Sequence, residues 1–299
     1  MIGVEWGRTS FRAWRIGDDG SVRDLRASPR GLLSVPDVRF SDTLREELGR
    51  WIAGGEDRIL IAGPAWSLAG GAHGFRIVRP APCPTPCGVA ELAAALADVP
   101  FDWALVRLVP GVRDARSGCE TLNGEETHLL GAAAAIGGTG TLCLPGPLSC
   151  WAQMEAGRIA VLSCHLTGET FAALRAALLG RPSREMLPDP AAFARGLALA
   201  QAPGGMLSHL ARLRASAALP GATEGAQGAA LAAQLLGLLV GAEVNAAMPP
   251  RGEIHMVGDS DHLALYAQAI RVLGGTALTP VPDTALAGLI ALGAAARWD

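Results

Sequence analysis

The sequence predicts an α/β protein of two domains, and three observations lead there. Strand-like apolar runs alternate with helical ones at both ends of the chain, the pattern of mixed α/β folds. With 299 residues, half of them hydrophobic, the chain can bury one large core or two medium ones. The polar, glycine-rich Gly137-Gly138-Thr139-Gly140 interrupts the pattern and marks the expected boundary, with domains at 1–138 and 139–299.

Ile2 to Trp6 reads as a strand, Gly7 to Ser10 as a tight turn, and Phe11 to Ile16 as the returning strand of a hairpin. A third strand is expected over Val22 to Ser28. Leu44, Leu48, Trp51 and Ile52 share one helical face, which predicts a helix over Phe40 to Ala53. Arg58 to Gly63 is a short apolar strand ending in glycine. Prolines at 80, 82, 84 and 86 keep Arg79 to Gly88 extended, before a helix over Val89 to Ala97 and a strand over Trp103 to Val109.

Asn123-Gly124 opens an apolar helix that runs to Ile136. Strands follow at Thr141 to Leu144, Cys150 to Met154 and Arg158 to Ser163, the last two joined at Glu155-Ala156-Gly157. A helix starts near Thr167 to Glu169, and helices dominate from Ala191 to Met248. Glu253 to Val257 is a late strand before another helix. No solenoid-type repeat is present.

Composition removes several function classes. A net charge of -3 and a pI near 6.1 provide no basic field for nucleic acid, so a small-molecule ligand is expected. Met1 to Trp6 has neither the charged nor the long apolar region of a signal peptide. The most apolar stretch, Ala229 to Met248, carries Gln234, Glu243 and Asn245, and the tail Ala285 to Ala296 is short for a span. Both are read as buried helices, with no membrane partner. Six scattered cysteines suit reduced thiols in a cytoplasm, and Cys83 with Cys87 lacks a second pair at zinc-ligand spacing. All 25 basic residues are arginine, which excludes a P-loop lysine and Schiff-base chemistry.

Several short segments combine acids with turns. Glu5-Trp6-Gly7-Arg8-Thr9 sets an acid at a strand end before a turn whose amides and Thr9 hydroxyl suit a phosphate, with Glu5 near its metal. Taken alone, the same residues make an ordinary hairpin. Glu125 and Glu126 open a helix, either as acids that complement its positive end or as carboxylates that take a hydroxyl proton during phosphoryl transfer. Thr167-Gly168-Glu169 repeats that design, again with helix capping as the alternative. Gly258-Asp259-Ser260 joins a strand to a helix, where amides meet anions. Neither a Gly-x-Ser-x-Gly elbow nor a His-Glu-x-x-His motif is present.

In order, these segments resemble the 2-dehydro-3-deoxygalactonokinase family of the actin-like ATPase superfamily. A family opening like Asp-Trp-Gly-Ser-Thr-Asn-Leu-Arg-Ala-Trp stands here as Glu5-Trp6-Gly7-Arg8-Thr9-Ser10-Phe11-Arg12-Ala13-Trp14. Arg-Gly-Glu-Glu-Thr-Gln is similar to Asn123-Gly124-Glu125-Glu126-Thr127-His128, and Met-Thr-Gly-Glu to Leu166-Thr167-Gly168-Glu169. Gly237 to Val244 resembles the family's late helix, and Val257-Gly258-Asp259-Ser260 falls where it has Ala-Gly-Thr-Ser. The chain departs from the family at Glu5, where the family has Asp, at Arg8, where it has a small residue, at Asp259, and in two stretches: Gly-Thr-His-Ser-Lys-Trp is here Gly146-Pro147-Leu148-Ser149-Cys150-Trp151, and Ala-Gly-Met-Val-Gly-Ser is Ala62-Gly63-Pro64-Ala65-Trp66-Ser67.

The resemblance implies two ribonuclease-H-like domains around a cleft, ATP with Mg²⁺, and phosphorylation of a sugar acid at its terminal hydroxyl. It places Glu5, Gly7, Arg8, Thr9, Gly146, Gly258 and Ser260 at the nucleotide, with Glu5 also at the metal. Glu125 and Glu126 take the catalytic positions, and Thr167, Gly168 and Glu169 the substrate. A homodimer is compatible with this reading. The alternative expectation is a member that binds a sugar acid or a partner without phosphoryl transfer.

Overall fold

The computed structural model describes residues 1–35, 39–64, 80–118, 121–180, 189–249, 252–258 and 262–298. The expected site residue Ser260, its neighbour Asp259, and the altered stretch at 65–67 lie outside these. The chain divides into two compact units. One holds Met1–Gly140, Ala152–Leu162 and Val281–Asp299, and the other holds Thr141–Trp151 and Ser163–Pro280.

The first unit begins with β1 (Ile2–Trp6), β2 (Phe11–Ile16), β3 (Val22–Ser28), α1 (Phe40–Ala53) and β4 (Arg58–Ala62). It continues with β5 (Cys83–Pro84), α2 (Val89–Ala94), β6 (Ala97–Val99), β7 (Leu105–Leu108), β8 (Val112–Arg113), β9 (Thr121–Leu122) and α3 (Glu125–Ala133). Its main sheet runs β3-β2-β1-β4-β7-β6. β1 pairs antiparallel with β2 and parallel with β4. Alternation puts Ile2, Val4 and Trp6 on one face of β1, and all three are buried. The Trp6 ring meets Phe11 and Phe40 edge-on, at centroid separations of 5.3 and 5.5 Å, and its Nε1 donates to the Arg30 carbonyl at 3.0 Å. Trp6 therefore anchors the opening hairpin in the core.

The second unit holds β10 (Gly140–Leu144), the start of β11 (Ser149–Glu155), the end of β12 (Arg158–His165), α4 (Thr167–Leu179), α5 (Pro190–Gln201) and α6 (Gly205–Ala217). After these come α7 (Gly225–Ala247), β13 (Glu253–Met256), α8 (Leu263–Val272) and β14 (Thr276–Ala277). Its sheet runs β12-β11-β10-β13-β14, with β10, β13 and β14 parallel. Setting aside the short β5 and β6, both sheets follow one path: third, second, first, fourth, fifth strand of the unit. α7 is long and apolar enough to cross a bilayer by length and composition, yet more than half of its most apolar window is buried in the protein. Leu236, Val240 and Val244 pack there with Phe193, Ile254 and Tyr266.

Three sequence expectations change. α2 ends at Ala94, because Ala97–Val99 peels away to pair antiparallel with β7 and buries Val99. The proline-rich segment supplies β5, which pairs with β8. A boundary at 138 with one C-terminal domain does not describe the division, because the last helix, α9 (Thr284–Ala295), belongs to the first unit. α9 crosses α3 so closely that a Cβ on Gly131 would strike the Thr284 carbonyl, and one on Gly288 the Thr127 carbonyl. The hairpin tip Ala152–Leu162 joins the same unit, with Cys87 and Ile159 exchanging backbone hydrogen bonds of 3.0 and 2.8 Å.

Candidate active site

The turn after β1 is tied at its base and open at its tip. Gly7 N donates to the Ser10 carbonyl at 2.9 Å, while the Gly7 and Arg8 carbonyls accept from the amides of Leu32 and Leu33, each at 2.9 Å. Arg8, Thr9 and Ser10 are exposed. Exposed hydroxyl and guanidinium side chains on one turn suit an anion.

Glu5 Oε2 accepts from Arg12 Nε at 2.8 Å and pairs with Arg12 Nη2 at 2.6 Å, and its Oε1 lies 3.0 Å from His128 Nε2. Burial alone would raise its carboxyl, but the hydrogen bond from His128 and the charges of His128 and Arg12 outweigh that and hold it below the usual value. Both oxygens are engaged by basic side chains, which makes Glu5 an ion-paired acid behind the turn. Among the described residues no three His, Cys, Asp or Glu side chains converge as a metal cage.

Two glycines bring the turn and the acids of α3 together. Gly63, just after β4, has φ +132° and lies so close to the Trp6 carbonyl that no Cβ would fit. Gly124, at φ +122°, lies against Gly63, where an added Cβ would be 2.8 Å from its Cα. The end of β1, the end of β4 and the start of α3 therefore meet at backbone contact. There the Glu125 carboxylate accepts from Asn123 N at 2.8 Å, and Glu126 Oε2 accepts from Gly124 N at 2.7 Å. Both acids do cap the helix entry.

Glu126 has capacity left over. It is fully buried, and its Oε1 and the nearby Asn123 Oδ1 have no hydrogen-bond partner among the described residues. Burial, followed by the charge of Glu125, pushes its carboxyl up to about 8, against which the Gly124 amide works only in part. Sequence reasoning left His128 unassigned, yet its ring links Glu5 to Thr284 Oγ1, 2.8 Å from Nδ1. The available signal was its place two residues after Glu126 in a helix already chosen for its acids.

In the second unit, Gly146, Gly168 and Gly258 are assembled by the C-terminal ends of parallel strands, where α/β sheets bind ligands. A Cβ on Gly168 would lie 2.5 Å from the Gly146 carbonyl, and Glu169 N donates to the Pro147 carbonyl at 3.1 Å. Gly258, at φ +95°, packs on Leu144 at the end of β10. Leu166 rather than Thr167 occupies the N-cap of α4, without a side-chain cap, and Thr167 is buried while Glu169 is exposed. Thr167-Gly168-Glu169 thus lines up beside the 146–148 turn.

Known proteins resemble this chain over nearly its whole length. A curated protein of Rhizobium meliloti (strain 1021), named a probable 2-dehydro-3-deoxygalactonokinase, DgoK1, is 30% identical over 99% of this chain and 96% of its own length. A crystal structure from Sinorhizobium meliloti, described as a candidate 2-dehydro-3-deoxygalactonokinase, superposes with a TM-score of 0.78 at 28% identity, covering 98% of this chain and 97% of that one. A carbohydrate kinase from Novosphingobium aromaticivorans matches at 12% identity with a TM-score of 0.50, over 99% of this chain and 94% of its own, a likeness of fold alone. The fold is that of the actin-like ATPases and sugar kinases. The family profile described as 2-keto-3-deoxy-galactonokinase, the same sugar acid under another prefix, matches residues 5–292, and the chain belongs to that family.

Proposed function

We propose that this protein is a sugar-acid kinase that transfers the γ-phosphoryl group of ATP to the terminal hydroxyl of 2-dehydro-3-deoxy-D-galactonate. Family membership supports the reaction class. The observation that supports a working enzyme over a binding-only member is Glu126, a carboxylate near neutral pKa with one buried oxygen still lacking a partner. A buried acceptor left unpaired costs about 1–3 kcal/mol, a cost a substrate hydroxyl would relieve.

In this reading the turn at Gly7, Arg8 and Thr9 holds ATP phosphates through amides, a hydroxyl and a guanidinium. The resemblance assigns Gly146, Gly258 and Ser260 to the nucleotide and Thr167, Gly168 and Glu169 to the sugar acid. Glu126 Oε1 takes the proton of the sugar hydroxyl as its oxygen bonds to the γ-phosphorus and the bond to the ADP oxygen breaks. Glu125, partly exposed, keeps the pKa of Glu126 raised through its charge. With Glu5 engaged by Arg12 and His128, Mg²⁺ belongs to ATP as its phosphate counter-ion and is written as part of that substrate. Scattered cysteines in a chain with ample core suit reduced thiols, which supports a cytoplasmic setting.

The test is product formation from MgATP and a panel of sugar acids and sugars, with melting temperature followed in parallel. Ligand at 100 times Kd stabilises a protein by about 2.7 kcal/mol. Absence of both product and any shift with millimolar MgATP would sink the kinase reading. A shift with sugar acid alone would favour the binding-only alternative.

A further inference from the structure

We propose that Glu243, on α7, is the positioning residue of the turn Gly146-Pro147-Leu148, holding the start of β11 from beneath. The inference rests on reading that turn as phosphate-facing.

Glu243 lies in the most apolar helix of the chain and is 4% exposed. Its Oε1 accepts from Ser149 Oγ at 2.7 Å and from Trp151 Nε1 at 2.8 Å, and its Oε2 accepts from Tyr266 Oη at 2.7 Å. All three donors are buried and neutral. Among the described residues no ion pair includes Glu243. Burying a carboxylate without a cation costs desolvation, and an apolar residue of similar volume would serve packing at least as well. What an apolar residue lacks is direction: three hydrogen bonds set the position of β11 relative to α7 and α8.

Two of the donors, Ser149 and Trp151, are the first and third residues of β11, which alternation puts on one face of the strand. Ser149 directly follows Leu148, so the carboxylate grips the chain where it leaves the turn. The other side of the turn is held by α4, through the Glu169 amide on the Pro147 carbonyl at 3.1 Å. Compared with Gly-Thr-His-Ser-Lys-Trp, this chain has replaced the threonine, histidine and lysine and kept Gly146, Ser149 and Trp151. Two of the three retained residues are donors to Glu243. The part of the motif that survives is the part that shapes the backbone.

The experiment compares the full chain with Glu243→Ala, Glu243→Gln and, as a destabilised control in the same helix, Leu239→Ala. KM for MgATP, KM for the sugar acid, kcat and amide hydrogen exchange over residues 145–151 and 125–133 are measured. Glu243→Ala is expected to raise KM for MgATP about tenfold, equivalent to ~1.4 kcal/mol, and to speed exchange over 145–151 while leaving 125–133 unchanged. Glu243→Gln retains an acceptor for Ser149 and Trp151 and recovers most of the loss. Leu239→Ala lowers the melting temperature without moving KM. Wild-type KM and exchange in Glu243→Ala, or an equal KM rise in Leu239→Ala, overturns the proposal. If Glu243→Ala does not fold, Ser149→Ala carries the test, and unchanged KM and exchange there overturn it equally. Exchange needs no turnover, so it judges Glu243 even if the wild-type protein fails to phosphorylate a sugar acid.

Discussion

His128 Nε2 lies 3.0 Å from Glu5 Oε1, across 123 residues of sequence. With Nδ1 at 2.8 Å from Thr284 Oγ1, one imidazole joins α3, β1 and α9 within the first unit. It sets Glu5 behind the turn at Gly7 to Ser10 and ties the C-terminal helix to the same point. His128→Ala leaves a carboxylate oxygen and a buried hydroxyl unpaired, and is expected to cost about 1–3 kcal/mol. A lower urea midpoint at constant m is the reading, and an unchanged midpoint would remove the bridge from the account.

Glu5 has its pKa lowered on folding, so its stability contribution is fully present above its ordinary 4.5 and is lost as pH falls through the lower folded value. Glu5→Gln should therefore lower stability at neutral pH and flatten the acid limb of the stability curve. Urea unfolding across the acid range measures this. An acid limb identical to wild type would contradict the pairing.

Glu126 runs the other way. Between its ordinary 4.5 and about 8 the folded state holds a proton that the unfolded chain has released, so stability falls as pH rises through that window. Glu126→Gln abolishes that fall. As the proton acceptor Glu126 must be ionised, so turnover should rise with pH through about 8, and Glu126→Gln should cut kcat by at least about 10²-fold. Glu125→Gln removes one of the charges that raise Glu126 and shifts the pH–rate midpoint downward. A midpoint that stays in place would show the Glu125 charge to be irrelevant.

Gly63→Ala and Gly124→Ala put a methyl group where backbone stands and force a side chain onto positive φ. Each should destabilise by about 1–3 kcal/mol or more and weaken the MgATP-induced thermal shift. Wild-type melting in either variant would mean that the three segments do not meet as described.

Arg8 is exposed at the tip of the turn. Arg8→Ala should raise KM for MgATP about fivefold, or ~1 kcal/mol for an exposed ionic contact, and reduce its salt dependence. An unchanged or lower KM would show the arginine to be neutral or obstructive at the phosphate.

The long elements were legible in sequence because their patterns repeat several times within one element. Alternation in β1 and β2 and the face of Leu44, Leu48 and Trp51 in α1 place those elements within a residue or two of where they stand. β5, β8 and β9 have two residues each, too few to carry a period, and β6 was absorbed into the helix before it. Of the site, the acids at 125 and 126 and the glycine turn were visible as chemistry at suitable spacing.

Periodicity was enough for the α/β class and the long elements, and the resemblance of the motifs in order pointed to the kinase family. Only the tertiary structure decided that Glu5 is neutralised by Arg12 and His128, that Glu126 keeps an unpaired oxygen and a pKa of about 8, and that Glu243 binds Ser149, Trp151 and Tyr266. A carboxylate's role depends on which donors reach it and how much water is excluded. Those partners are brought together by folding, up to 123 residues along the chain, and no local pattern encodes them.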